Sequence, residues 1–171
     1  GYKQLEVESK IIQYRKVKAK GKEQFQLVLN NTPFYAESGG QVGDNGVLKS
    51  AHETITITDT KKENGIIIHF ADKLPENFTE IFIAKVNARR RKMTENNHST
   101  THLLHAALRQ VLGTHVEQKG SLVNDEYLRF DFSHFSKVTD EEIAQIESIV
   151  NEKIRENITS DIKEMPIDEA R

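Results

Sequence analysis

Apolar and polar residues alternate through much of the first ninety positions. "EQFQLVLN" (23–30) and "ETITITDT" (53–60), the latter rich in β-branched residues, read as half-buried strands. "GIIIHFA" (65–71) is a continuous apolar run behind a turn glycine. "EIFIAKVNA" (80–88) and "LEVESKIIQY" (5–14) add two more strand candidates. About five or six short strands with glycine-containing connections predict a small β-barrel or sandwich. The alternation stops near Asn87, and a period of about 3.6 replaces it. "MTENNHSTTHLLHAALRQVLG" (93–113) predicts a helix with Leu104, Leu108 and Val111 on its apolar face, beside Leu103 and Ala107, and Gly113 as its stop. "YLRFDFSHF" (127–135) reads as a strand. "TDEEIAQIESIVNEKIRENI" (139–158) reads as a helix with a Thr139/Glu142 capping box and a buried stripe of Ile143, Ile146, Val150 and Ile154. A short strand is expected at 161–165. The expected class is α+β: a β-barrel unit over residues 1–92, then an α+β unit over 93–171 with helices packed on an antiparallel sheet.

Composition narrows the chemistry. The chain has no cysteine, so it has neither a disulfide framework nor a thiolate ligand, and a metal site must draw on His, Asp or Glu or on ligands outside the chain. The net charge of −2 excludes a global basic footprint. The local run "ARRRK" (Arg89 to Lys92) is either a solvated surface or a contact for phosphates. No stretch of about 18 apolar residues exists, and "GYKQLEVESK" is too polar for a signal peptide, so a soluble, cytoplasmic protein with no membrane partner is expected. Residue 1 is Gly rather than Met, and Asp168 offers an N-cap for a helix beginning just before Arg171. The chain therefore reads as a piece of something longer.

The densest chemistry lies at "NHSTTHLLHAALRQ" (97–110), which holds three of the seven histidines. On a helical wheel His98, His102, His105 and Arg109 fall within about 60°, opposite Leu103, Leu104, Ala107 and Val111. They are expected to face solvent or a cleft. Imidazoles at i and i+4 can share a divalent ion, but zinc takes three or four protein ligands, so two histidines are half a site. Ser99 stands where a zincin helix would carry its glutamate, which excludes that protease pattern.

Two long motifs go further. "NHSTTHLLHAALRQVLGTHVEQKGSLVNDEYLRFDFSH" (97–134) closely resembles the editing domain of alanyl-tRNA synthetases, and "TPFYAESGGQVGDNG" (32–46) resembles the signature of the β-barrel that precedes that domain. "MPIDEA" near the end also fits, and the resemblance runs from about Leu5 to Arg171. It implies that His98 and His102 are zinc ligands, completed in the family by a downstream Cys-x-x-x-His pair that this chain lacks. It maps the editing residues onto Thr101, Gln118 and Ser121, and leaves His105 a supporting or packing role.

The implied reaction is hydrolysis of the ester joining serine or glycine to the 3′ adenosine of tRNA(Ala), with the tRNA acceptor end as partner. An alanine pocket gains only about one methyl's worth of binding over glycine, roughly 1 kcal/mol, and rejects an added hydroxyl poorly, so a second hydrolytic sieve is needed. ATP-dependent attachment of alanine would belong to another part of the parent. The isolated chain is expected to hold zinc weakly and to be inactive. Two alternatives stand: a stand-alone trans-editing deacylase of the same family, or a non-catalytic tRNA-binding module. For "AESGGQVGDNG", glycines marking tight turns and a loop placing Glu37, Ser38 and Gln41 beside the acceptor end are equally open readings. The loop is neither GxGxxG nor a P-loop, which argues against nucleotide binding there.

Overall fold

A computed structural model describes residues 4–19 and 21–158 of the chain. Seven antiparallel strands form one sheet: β1 (Glu6–Ser9), β2 (Ile11–Ala19), β3 (Lys22–Leu29), β4 (Gly46–Lys49), β5 (Thr54–Glu63), β6 (Ile66–Ala71) and β7 (Phe82–Val86), in the order β1-β7-β4-β5-β6-β3-β2. The alternation in sequence is the alternation in space. Ile55 and Ile57 on β5, and Phe82, Ala84 and Val86 on β7, point into one core with Leu27, Phe34 and Leu48. The intervening Thr54, Thr56, Thr58, Ile83 and Lys85 are exposed. The two edge strands, β1 and β2, are separated in sequence by Lys10 alone, so the sheet has to curl until its edges meet at that residue. Asn30 fastens the bend, accepting from the Lys10 amide at 2.7 Å and donating its own amide to the Lys10 carbonyl at 3.0 Å. The segment 5–14, expected as one strand, therefore breaks in two. β4 went unread because Val47 and Leu48 are too few to show a period.

Helix α1 (Ala88–Leu112) follows β7 at once, with Asn87 as N-cap accepting from the Arg90 amide and Gly113 as its stop. It starts five residues before the expected 93, because its first turns carry "ARRRK" rather than a periodic apolar stripe, and it straddles the 92/93 division. A hairpin of β8 (Gln118–Val123) and β9 (Leu128–Phe132) and helix α2 (Asp140–Glu156) complete the fold. A second core joins Ala107, Leu108, Val116, Ile146 and Val150, with Leu103, Leu104, Phe130 and Phe132 packed around it. Among the described residues the chain is thus mixed α+β, and the sheet beside the helices is a two-stranded hairpin. The Thr139/Glu142 capping box is present. The α2 stripe is shorter than expected: Ile146 and Val150 are buried, while Ile143 and Ile154 are 43% and 48% exposed, since α1 covers only the middle of α2. The strand expected at 161–165 and the helix start at Asp168 lie outside the described residues. No helix among the described residues is long and apolar enough to cross a membrane.

Candidate functional site

The glycine-rich loop between β3 and β4 carries the junction between the two cores. Ser38 and Gln41 exchange backbone hydrogen bonds of 3.1 and 3.0 Å across a tight turn, with Gly39 and Gly40 at φ +57° and +82°. These are left-handed conformations that favour glycine. Gly40 has a second constraint, since a Cβ there would collide with Ser121 and lie 2.7 Å from its carbonyl oxygen. That closeness lets the loop join β8: the Val123 amide donates to the Gly40 carbonyl at 2.8 Å, and the Val42 amide to the Val123 carbonyl at 3.0 Å.

Further along the loop, Asp44 is buried against the guanidinium of Arg91 on α1, with 7% and 2% of their side chains exposed. Arg91 Nε lies 2.9 and 3.0 Å from the two carboxylate oxygens, and the same guanidinium donates to the Pro33 carbonyl at 3.1 Å. Asp44 also accepts the Tyr35 amide at 2.7 Å. A bidentate arginine–carboxylate pair is a directional clamp, and here it locks the base of α1 onto the β3–β4 loop. The adjacent Arg90 pairs with Asp125 at 2.7 Å, and further along α1 Asn97 donates to the Asn124 carbonyl at 2.8 Å. The "ARRRK" run therefore divides. Arg90 and Arg91 fix the fold, and of the four cations only Arg89 and Lys92 are exposed. Neither Asp44 nor Arg91 announced itself in sequence: one reads as a turn acid, the other as part of a solvated run.

The histidine face is also divided. His98 is half-buried, its Nδ1 2.8 Å from Oε1 of Gln41, whose side chain is 1% exposed. His102, one turn on, is exposed, its ring centroid 5.2 Å from that of His98. His105 packs its ring 5.2 Å from Phe130 of β9, so it supports the second core rather than lining an open cleft as the wheel suggested. The wheel could not anticipate a hairpin laid along that side of the helix. Burial, and then neighbouring His102, hold the His98 imidazole below its ordinary pKa, which favours the neutral, ligating form.

The other candidates are spread around this point. Thr101 is buried, its hydroxyl donating back to the Asn97 carbonyl at 2.9 Å. Ser121 of β8 is half-buried against Gly40, and so lies against the same loop whose Gln41 reaches His98. Gln118 is exposed at the start of β8, paired with Phe132, and roughly 10 Å along the strand from Ser121. Loop 38–42 thus touches both Ser121 and His98, and Gln118 stands apart. Among the described residues no three His, Asp or Glu side chains gather as a metal site. The donor chemistry of His98 and His102 fits zinc as two ligands of a larger set.

The sequence matches the family model for class II (A) tRNA synthetases over residues 1–91. The chain belongs to that family. Among class II (A) synthetases it is similar over its whole length to proteins named alanine–tRNA ligase. It is 59% identical over 172 aligned residues to that of Cytophaga hutchinsonii, 56% to that of Bacteroides thetaiotaomicron and 55% to that of Parabacteroides distasonis. Each alignment takes in all of this chain and 20% of the relative, so the chain spans about a fifth of these synthetases. The resemblance to alanyl-tRNA synthetases is borne out at the level of the family.

Proposed function

We propose that the chain is part of a cytoplasmic alanine–tRNA ligase, and that it carries the site that hydrolyses Ser-tRNA(Ala) or Gly-tRNA(Ala). In this reading residues 1–92 are the barrel unit, residues 93–171 begin the editing unit, and the acceptor end of tRNA(Ala) enters beside loop 38–42. The observation that carries it is the Gln41–His98 hydrogen bond, which makes one place of the two motifs that suggested the family. His98 and His102 would hold zinc, with further ligands from outside the described residues. Bound there, zinc supplies either an activated water or an anchor for the substrate's amino group.

The remaining roles follow from the side chains themselves. None of Thr101, Gln118 and Ser121 titrates near neutral pH, so they suit recognition rather than proton abstraction. Ser121, against the loop, would bond the ribose or the serine hydroxyl. The exposed Gln118 amide is free to donate and accept toward an incoming acceptor end. Thr101 already spends its hydroxyl proton on Asn97 and keeps only acceptor capacity. Adenylation of alanine with ATP is assigned to the rest of the ligase.

The test is a pair of assays on the full-length ligase. His102→Ala should leave alanine-dependent pyrophosphate exchange nearly intact and slow seryl-tRNA(Ala) deacylation by at least about tenfold, as expected for a lost metal ligand. Gln118→Ala should give a smaller deacylation defect, about 1–3 kcal/mol at most. Loss of exchange with deacylation spared would overturn the assignment. The same assays on the isolated chain distinguish a self-sufficient deacylase, which would act alone, from a piece that needs its parent.

A further inference from the structure

Gln41 is an odd residue to bury. Its backbone is already pinned by both bonds to Ser38, and its neighbours are bonded to Val123, so the side chain is not needed to hold the turn. A buried amide is costly unless both of its ends are paired, yet only one end is. Oε1 lies 2.8 Å from His98 Nδ1, and Nε2 has no hydrogen-bond partner among the described residues. An apolar side chain of the same length would fill the space without that penalty.

A neutral imidazole carries one proton, and its position decides which nitrogen can ligate. An acceptor held against Nδ1 keeps the proton there and leaves the Nε2 lone pair bare, the arrangement by which partners outside a metal site orient its histidines. Were the amide reversed, its NH2 would donate to Nδ1, the ring proton would move to Nε2, and neither nitrogen could take a metal.

We infer that Gln41 is a positioning residue: its side-chain oxygen, delivered from the barrel loop, holds His98 in the Nδ1–H tautomer and aims bare Nε2 at the metal position. The barrel thereby governs the ligand set of a site carried on another unit. The inference rests on the zinc reading proposed above, and the experiment separates the two.

Long-range 1H–15N correlation spectra of the labelled, metal-free chain, at a pH where imidazole is neutral, report the tautomer directly. His98 should show a protonated Nδ1 and an unprotonated Nε2. Gln41→Met, of similar volume but with no acceptor for a strong bond, should shift His98 toward the Nε2–H tautomer. Gln41→Glu, which can only accept, should keep the Nδ1–H form. Amide spectra of β5 and α2 check the fold. If the Met variant does not fold, the wild-type and Glu tautomers decide. A wild-type His98 protonated on Nε2, or a folded Met variant with its tautomer unchanged, overturns the inference.

A second arm uses chelator competition for zinc on the full-length ligase. Gln41→Met should weaken zinc retention about 10–100-fold, with Gln41→Glu restoring it. A wild-type ligase that holds no zinc would sink the metal reading, while the tautomer spectra would still judge Gln41. Zinc retained equally by wild type and Met variant would overturn the positioning role.

Discussion

His69 shows how one residue couples the core of the curled sheet to pH. It is fully buried, with Nδ1 3.1 Å from the Leu27 carbonyl, Nε2 2.8 Å from the Thr32 hydroxyl, and Phe34 edge-on at 5.4 Å. These partners suit a neutral ring that donates from Nδ1 and accepts at Nε2. Burial lowers its pKa from 6.5 to about 4. The unfolded chain therefore takes up this proton more readily, and stability falls as pH drops from about 6.5 toward 4. It is fully present above that window, and about 3 kcal/mol is at stake across it. Urea unfolding between pH 7 and 4 should show this loss, and His69→Gln should flatten the slope. Thr32, its partner, opens the "TPFYAESGGQVGDNG" motif. A histidine in a run of isoleucines looked in sequence like an ordinary strand residue, because its partners are 37 and 42 positions away.

At the scale of elements, the legible parts were those with their own period. β3, β5, β6 and β7 stood out because each alternation or apolar run reflects a face buried along most of its length, and α2 because of its capping box and the stripe centred on Ile146 and Val150. What stayed hidden depended on contacts across the chain. The first turns of α1 are charged, because Arg90 and Arg91 find acids at positions 125 and 44. β8 starts with polar residues and is defined by its pairing with β9 and the loop. Ile143 and Ile154 at the ends of the α2 stripe are exposed, which gives a graded expectation. Ile146→Ala, in the second core, should cost about 2–5 kcal/mol. Ile154→Ala, nearly half exposed, should cost below about 1 kcal/mol. Thermal or urea denaturation of the two variants measures the difference, and equal costs would mean that α2 is covered along its whole length. The candidate site was half legible. His98, His102 and Ser121 came from motifs, whereas the role of Gln41 needed the loop and the helix in one frame.

Across the whole molecule, two apolar cores meet through a polar seam: Arg91 with Asp44, Arg90 with Asp125, Asn97 with Asn124, and the backbone bonds between the loop and Val123. A seam of this kind fixes orientation more than it adds affinity, and it is intolerant of losing one member of a buried pair. Arg91→Met or Asp44→Asn should each destabilise by about 3–5 kcal/mol, with the double variant recovering part of the loss. Strict additivity in urea unfolding would count against a coupled pair. Through this seam runs α1, unbroken from the clamp at Arg91 to the histidines. Its continuity means that the two units cannot be re-spaced gradually in evolution. One residue inserted between Glu95 and Asn97 would turn everything beyond it by about 100° and advance it about 1.5 Å. His98 would swing away from Gln41 while both cores remained sound. Lineages exchanging either half are thus held to a phase as well as a sequence.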